Sequence, residues 1–342
     1  MGIPIHLSAL EAGFHMPAEW APHERCWMAW PGPQALWGDG LPATQQGFAN
    51  VANAVAAFEP VSMLTPPDWL DSASNLCGDN VDVVPWDLDD SWTRDIGPNF
   101  LVNDYGELAA SVFHFNAWGG KYKEFRKDAA LGHRLVESMG VRAFSSHIYM
   151  EGGGINVDGE GTVLTSEQCI LNDNRNQGLT KAEAEHELCH ALGAEKVVWV
   201  VGDPLDTETD GHVDGLACFI RPGVVLVSHD PDPTTELHKI LQENVRALEL
   251  ATDARGRKLE LVYLEETEQF YNPGDLFCVS YINFYIANDA VIIPSYGIPH
   301  DEKARITIQS CFPDRAVVQV DVNDIAPGGG GIHCITQQQP HV

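Results

Sequence analysis

The feature that most limits how this chain can fold is a repeat of elements rather than of residues. Strand-like runs, an amphipathic helix and a further strand-like run recur about five times along 342 residues. The first unit has a helix pattern at about 44–59. Thr44 is placed to cap it, and Phe48, Val51, Val55 and Phe58 share one face. Strands at 61–64 and 81–84 follow. The second unit reads as strands near 99–102 and 108–113, a helix near 124–139 and a strand near 141–145. In the third, strands 155–157 and 162–165 flank a turn at Asp158 and Gly159. Its helix opens at Thr180, with Glu183 completing a capping box, and stops near Gly193 before a strand at 196–201. The fourth has strands at 216–220 and 224–227, a helix near 234–250 and a strand at 259–264. That helix is expected to bury Leu237, Ile240, Leu241, Val245 and Leu248. The fifth has strands at 281–286 and 290–294, a helix at 301–311 and a strand at 316–320, and segment 332–336 can return to the first unit. Five ββαβ units around an axis make a closed five-bladed α/β propeller, a single domain over 1–342. An open α/β sheet with irregular insertions gives the same pattern, and the pattern does not choose between them.

Composition narrows the partners. The chain has 20 basic and 49 acidic residues, a net charge of −29. Nucleic acid and anionic membrane both require clustered Lys and Arg, so neither is expected as a partner. A small cation suits this field, although solubility or a saline habitat would produce the same bulk charge. No stretch reaches the roughly 18 apolar residues needed to cross a bilayer. The start, MGIPIHLSALEAGFHMPAEW, lacks a basic stretch followed by a sustained apolar run, so no signal peptide is expected. Eight scattered cysteines without a C-x-x-C pair fit a cytoplasmic protein with reduced, mostly buried thiols.

Five segments mix glycine with ionisable residues beside strand-like runs: WTRDIGP at 92–98, FNAWGG at 115–120, EGGGIN at 151–156, DGHVDG at 210–215 and GGGGIHC at 328–334. Glycine permits close approach of backbone to a ligand. A ring would bring these segments to its centre. His212, Asp214 and Asp210 would share a face if they lay on a strand. They could hold a metal, but no other cluster offers His or Cys at metal spacing, so no metal is expected. Cys334 follows four glycines, which open the backbone around its thiol. His333 is its neighbour in sequence and would face the other way on a strand, so His212 is the better partner for a Cys–His nucleophilic pair. Asp95, Glu151 and Asp214 would repel one another in one pocket unless a cation neutralised them. With no metal, that cation is the substrate. A planar guanidinium fits best, with Trp92 and Trp118 able to offer flat faces and Gly330 an open backbone.

These motifs resemble the agmatine deiminases, within the guanidino-modifying group that includes arginine deiminases and bacterial peptidyl-arginine deiminases. The likeness covers nearly the whole chain: MPAEWAPHERCWMAWP at 16–31, WTRDIGP, FNAWGG, EGGGINVDGEGTVLTSEQCILNDNRN at 151–176, TDGHVDG at 209–215 and GIHCITQQQP at 331–340. The resemblance implies a pentein-like five-bladed α/β propeller and an oligomer, a dimer or a tetramer, with no cofactor. It implies Cys334 as nucleophile, His212 as general acid/base, and Asp95, Glu151 and Asp214 around the guanidinium. Trp92 and Trp118 match positions lining a substrate tunnel. Agmatine deiminases usually read GGGNIHC, and Gly331 stands here in place of that Asn. The region at about 30–43 lacks the usual basic tryptophan–arginine loop, and the stretch between the fourth and fifth units is shorter than in plant-like members. These departures leave the substrate's tail open.

The reaction expected is hydrolysis of a small guanidine through a thiouronium on Cys334; with agmatine the product is N-carbamoylputrescine. A deiminase of free or peptidyl arginine and an amidinotransferase are the alternatives. Simple polyamine binding is the weakest, because a binder requires neither Cys334 nor His212.

Overall fold

Apolar, β-branched runs between glycine-rich turns and helix-forming segments give seventeen strands in five sheets among the described residues. The computed structural model describes residues 7–32, 37–266 and 278–342. Strands β1 (Phe14–His15) and β2 (His23–Ala29) lead into helix α1 (Leu41–Ala56). Strand β3 (Val61–Thr65), helix α2 (Leu70–Leu76) and strand β4 (Val81–Pro85) follow. β2, β3 and β4 pair in parallel. β5 (Asn99–Asn103) and β6 (Leu108–His114) pair antiparallel, and helix α3 (Arg126–Ser138) crosses over to β7 (Arg142–Tyr149), parallel to β6. β1 joins the free edge of β5.

The same order repeats three more times. It runs through β8 (Ile155–Val157), β9 (Thr162–Ser166), α4 (Lys181–Leu192) and β10 (Lys196–Val200). It continues through β11 (Ala217–Arg221), β12 (Val224–His229), α5 (Glu236–Leu250) and β13 (Glu260–Glu265). It ends with β14 (Tyr285–Ile286), β15 (Ala290–Ser295), α6 (His300–Cys311) and β16 (Ala316–Asp321). In each sheet the first pair is antiparallel and the second, spanned by a helix, is parallel. Finally β17 (Gln337–Pro340) pairs antiparallel with β2, so chain from beyond residue 336 completes the sheet begun before residue 30. Parallel strands need cover on both faces. All five residues of β3 are buried accordingly, with Thr65 satisfying its hydroxyl on the carbonyl of Met63.

Several local expectations hold. Thr180 and Glu183 form the reciprocal capping box of α4, and Gly193 ends that helix at φ +65°. The turn after β8 is organised by Asp158, whose carboxylate accepts from the backbone of Glu160 and Thr162. Other expectations shift. α1 starts three residues before Thr44, at Leu41 with Pro42 in its first turn. The Thr44 hydroxyl instead ties the helix to the carbonyls of Gly40 and Asp324. The closing strand is Gln337–Pro340, not 332–336, because His333–Ile335 forms a tight helical turn. Two departures from the family pattern fall partly on 33–36 and 267–277, which lie outside the described residues.

On α5, Leu241, Val245 and Leu248 are buried as expected, whereas Leu237 and Ile240 are half-buried. Asn244 is fully buried. Its amide accepts from the backbone N–H groups of Val201 and Gly202 and donates to the Gly202 carbonyl, holding the chain where it leaves β10. Asn244→Ala strands three backbone groups and is expected to cost about 3 kcal/mol. Urea unfolding of the purified variant measures this; an unchanged midpoint would remove the claim.

Candidate active site

Five loops at strand ends supply the site, and each is shaped by local chemistry. The loop before His212 is wound around Asp206. Its carboxylate accepts from the backbone of Glu208, Thr209 and Gly211, and from the Thr209 hydroxyl. Thr209 in turn accepts from the His212 N–H. Val213–Gly215 then turns as a short 3-10 helix, so residues 210, 212 and 214 do not lie on one strand. Asp210, at φ +61°, points instead to Lys121 and Arg175, 2.9 and 2.6 Å away. It is not part of the cluster around His212.

Asp95 sits on the short helical turn Thr93–Ile96. One carboxylate oxygen accepts from the Gly153 N–H at 2.9 Å and the other from the Trp118 indole N–H at 2.8 Å. Ala117 and Trp118 both adopt positive φ, +58° and +50°, a conformation costly for residues with side chains. Asn116 supports it by accepting from the Gly119 N–H. Trp92 packs against Trp37, with ring centroids 5.8 Å apart, and covers Gly330. A Cβ on Gly330 would come within 2.4 Å of the Trp92 ring.

Glu151 is completely buried and precedes the turn Gly152–Gly154. Its two oxygens divide their work, one meeting Arg175 Nε at 2.8 Å and the other His212 Nε2 at 3.2 Å. Gly153 marks where the cluster converges. A Cβ there would lie 2.7 Å from His212 Nδ1, 2.9 Å from Asp95 Oδ1 and 3.0 Å from Asp214 Oδ2. His212 Nδ1 is 3.8 Å from Asp95 Oδ1 and has no hydrogen-bond partner among the described residues, leaving one ring nitrogen open to the site.

Cys334 lies on the His333–Ile335 turn, its sulfur 3.7 Å from Asp214 Oδ2 and 3.2 Å from the Asn283 amide nitrogen. Together with His212 and Asp214 it lines a cavity of about 170 Å³. Thiol, imidazole and carboxylates from distant parts of the chain therefore meet. Asp95, Glu151, Trp92 and Trp118 are not among the residues lining that cavity, and Gly329 rather than Gly330 is. The carboxylates also differ from the expected uncompensated set, because each has internal partners. His333 bridges Asp214 at 2.8 Å and Glu19 at 3.1 Å.

The proton distribution follows from these contacts. Burial opposes a charged imidazole at His212, but Asp95, Cys169 and Glu151 outweigh it and raise its pKa well above the ordinary value. Burial would raise Glu151, yet His212 and Arg175 hold it low. Asp214 is likewise held low against burial by His333, and Glu19 is brought to about 2 against burial, chiefly by His333. Asp95 is raised, first by burial and then by Asp214 and Glu151 despite the opposing charge of His212. Burial, with Asp214, Cys278 and Asp95, raises the Cys334 thiol well above its ordinary range. Both shifts favour a neutral thiol beside a charged imidazole.

Arg175, Glu19, His333, Asn283 and Cys169 complete the site and had no assigned role in the sequence. Arg175 lies inside the NDNRN segment, where a basic residue in an acidic chain was the available signal. Glu151, Cys169 and His212 offer possible metal-ligand atoms within 4.8 Å of one another. The guanidinium on Glu151 opposes a dication there.

An α/β protein of this topology, bringing a cysteine, an imidazole and carboxylates to one cavity, falls in the class of pentein-fold enzymes that modify guanidino groups. The chain belongs to the Porphyromonas-type peptidyl-arginine deiminase family, which it matches over residues 15–340. A Legionella pneumophila protein provisionally named an agmatine deiminase is 44% identical to it over 331 residues, 96% of each chain. The solved agmatine deiminase of Enterococcus faecalis superposes with a TM-score of 0.93 at 35% identity, covering 100% of both chains. An agmatine deiminase of C. jejuni with a cysteine-to-serine substitution and bound substrate superposes at 0.86 with 27% identity, covering 95% of this chain and 96% of that one.

Proposed function

We propose that this protein is a hydrolytic agmatine deiminase, converting agmatine and water to N-carbamoylputrescine and ammonia. The observation that carries the choice of substrate is the lining of the cavity. Besides the reacting groups it holds Asp203, Asp206, Glu208 and Glu266, and no Lys or Arg among the described residues. Burial raises Glu266 to about 7, so this wall gains negative charge through neutral pH. Agmatine presents a cation at each end and suits such a cavity. Arginine and guanidinobutyrate would place a carboxylate among carboxylates.

The proposed course uses the groups in their resting states. Entry of the dication offsets the carboxylate field that keeps the proton on Cys334, and that proton leaves to solvent. The thiolate attacks the guanidinium carbon, forming the S–C bond. The imidazolium of His212 gives its proton to one amino group, which departs as ammonia and leaves a thiouronium on sulfur. Neutral His212 then takes a proton from water as the hydroxide adds to the same carbon. Collapse forms the ureido C=O, breaks the S–C bond and returns the hydroxyl proton to sulfur. Asp95, Glu151 and Asp214 favour positive charge on the reacting carbon throughout.

The five sheets read as blades of one propeller, a single domain over 1–342 with this site at its axis. Their shared strand order and the return of β17 to β2 support that arrangement. A dimer or tetramer and a cytoplasmic location belong to the same reading, supported by the family likeness and by eight unbridged cysteines. No helix among the described residues is long and apolar enough to cross a membrane.

A substrate panel tests the proposal. Agmatine should exceed arginine and guanidinobutyrate in kcat/KM by at least about a hundredfold, the discrimination expected when a buried charge is left without a partner. Comparable turnover of arginine would point to a different substrate.

A further inference from the structure

The Cys334 sulfur lies among groups that disfavour its ionisation. Asp214 Oδ2 is 3.7 Å away, and the charge of Asp95 also acts on it. The backbone N–H of Gly331 acts the other way, and one side chain is placed to do the same. We propose that Asn283 is a further catalytic residue: its side-chain N–H donates a hydrogen bond to Cys334 and holds the thiolate that attacks the guanidine. The inference rests on the reading of Cys334 as nucleophile.

Three observations support it. Asn283 is 2% exposed and its Nδ2 lies 3.2 Å from the sulfur. The orientation of the amide is fixed by its surroundings. Oδ1 accepts from the backbone N–H groups of His333 at 3.0 Å and Cys334 at 3.4 Å, while Nδ2 also reaches the Asp214 carbonyl at 3.4 Å. Turning the amide over would set its NH2 against two N–H donors, so the network leaves the donor facing sulfur. Oδ1 lies 3.4 Å from the sulfur and can accept from the neutral thiol, so the same amide serves both protonation states.

The chain has made room for this contact. A Cβ on Gly331 would stand 2.5 Å from Asn283 Oδ1. Glycine at 331 lets the amide of Asn283 fill that space. The backbone cooperates, since only Tyr285–Ile286 of the expected strand 281–286 joins a ladder. Upstream, the Tyr281 N–H bonds to Glu266 and the Tyr281 hydroxyl to Asp301, drawing residues 281–284 out of regular pairing and aiming Asn283 at the turn.

The test is the pH dependence of Cys334 alkylation by iodoacetamide, read on the peptide containing Cys334 by mass, in the full-length folded protein. A charge-assisted hydrogen bond is worth enough that Asn283→Ala should slow alkylation at pH 7 by about tenfold, with the high-pH limit unchanged. Asn283→Asp keeps the acceptors for both backbone N–H groups but replaces the donor with a carboxylate, and should slow it further. Gly331→Ala should move the profile in the same direction by displacing the amide. Should Asn283→Ala not fold, Asn283→Asp decides. Profiles from folded variants that superimpose on wild type overturn the proposal. A shifted profile combined with full agmatine turnover by Cys334→Ser also overturns the catalytic role, and locates the error in the nucleophile rather than in the hydrogen bond.

Discussion

Cys334→Ser is expected to lose agmatine turnover by roughly four orders of magnitude or more while still binding the substrate. The reason lies in the resting proton arrangement. Asp95 and Glu151 favour the charged form of His212, which is a poor base for a serine hydroxyl. A thiol can lose its proton once a cation occupies the pocket; an alcohol, far less acidic, cannot. The pocket itself changes by one atom, and the carboxylates that attract the substrate remain. The C. jejuni relative solved with a cysteine-to-serine change and substrate bound shows that such a variant of that protein retains its ligand. Colorimetric detection of the ureido product, with calorimetry for binding, measures both halves. Turnover near wild type would remove Cys334 from the chemistry.

Gly153→Ala is expected to reduce kcat/KM by more than about a hundredfold, because displacements near 1 Å at a reacting centre carry costs of that size. Its backbone φ is not in the positive range, so alanine meets no conformational penalty there. The whole effect is steric and falls on function. The added carbon would press on His212 Nδ1, Asp95 Oδ1 and Asp214 Oδ2 together, all closer than ordinary contact. None of the three can yield easily, since Asp95 is tied to Trp118, Asp214 to His333 and His212 to Glu151. Gly40→Ala provides the control. It also has an ordinary φ, and nothing lies within 4 Å of the place its new methyl carbon would take. Steady-state kinetics on both variants make the comparison, and equal activities would mean that Gly153 is not the point of convergence.

The strands and helices were legible because their signals are local. The capping box at Thr180 and Glu183 and the glycine stop at Gly193 each act within one turn. Period and β-branching marked most strands within a residue or two. The strand expected at 281–286 failed for a non-local reason: Glu266 takes the Tyr281 backbone N–H that a ladder would use, and Asp301 anchors the Tyr281 hydroxyl. Asn244 looked like one more polar position on α5, and only the path of the chain after β10 explains its burial. In the site, residue identity and motif order pointed to Cys334, His212 and the three carboxylates. What the sequence hid was their compensation. Arg175 and His333 neutralise Glu151 and Asp214 through contacts spanning 24 and 119 positions, and no spacing rule reaches that far.

The return of β17 to β2 has a consequence for biosynthesis. Ribosomes deliver residues in order, so β2 must wait for its antiparallel neighbour until Pro340 has been made. Cys334, the proposed nucleophile, arrives three residues before that strand begins. A nascent polypeptide halted before Cys334 lacks both the sulfur and the clasp, however well its earlier blocks have folded. Competence is thus acquired in one late step, and a cell reading an incomplete message would obtain inert protein rather than a partially active enzyme.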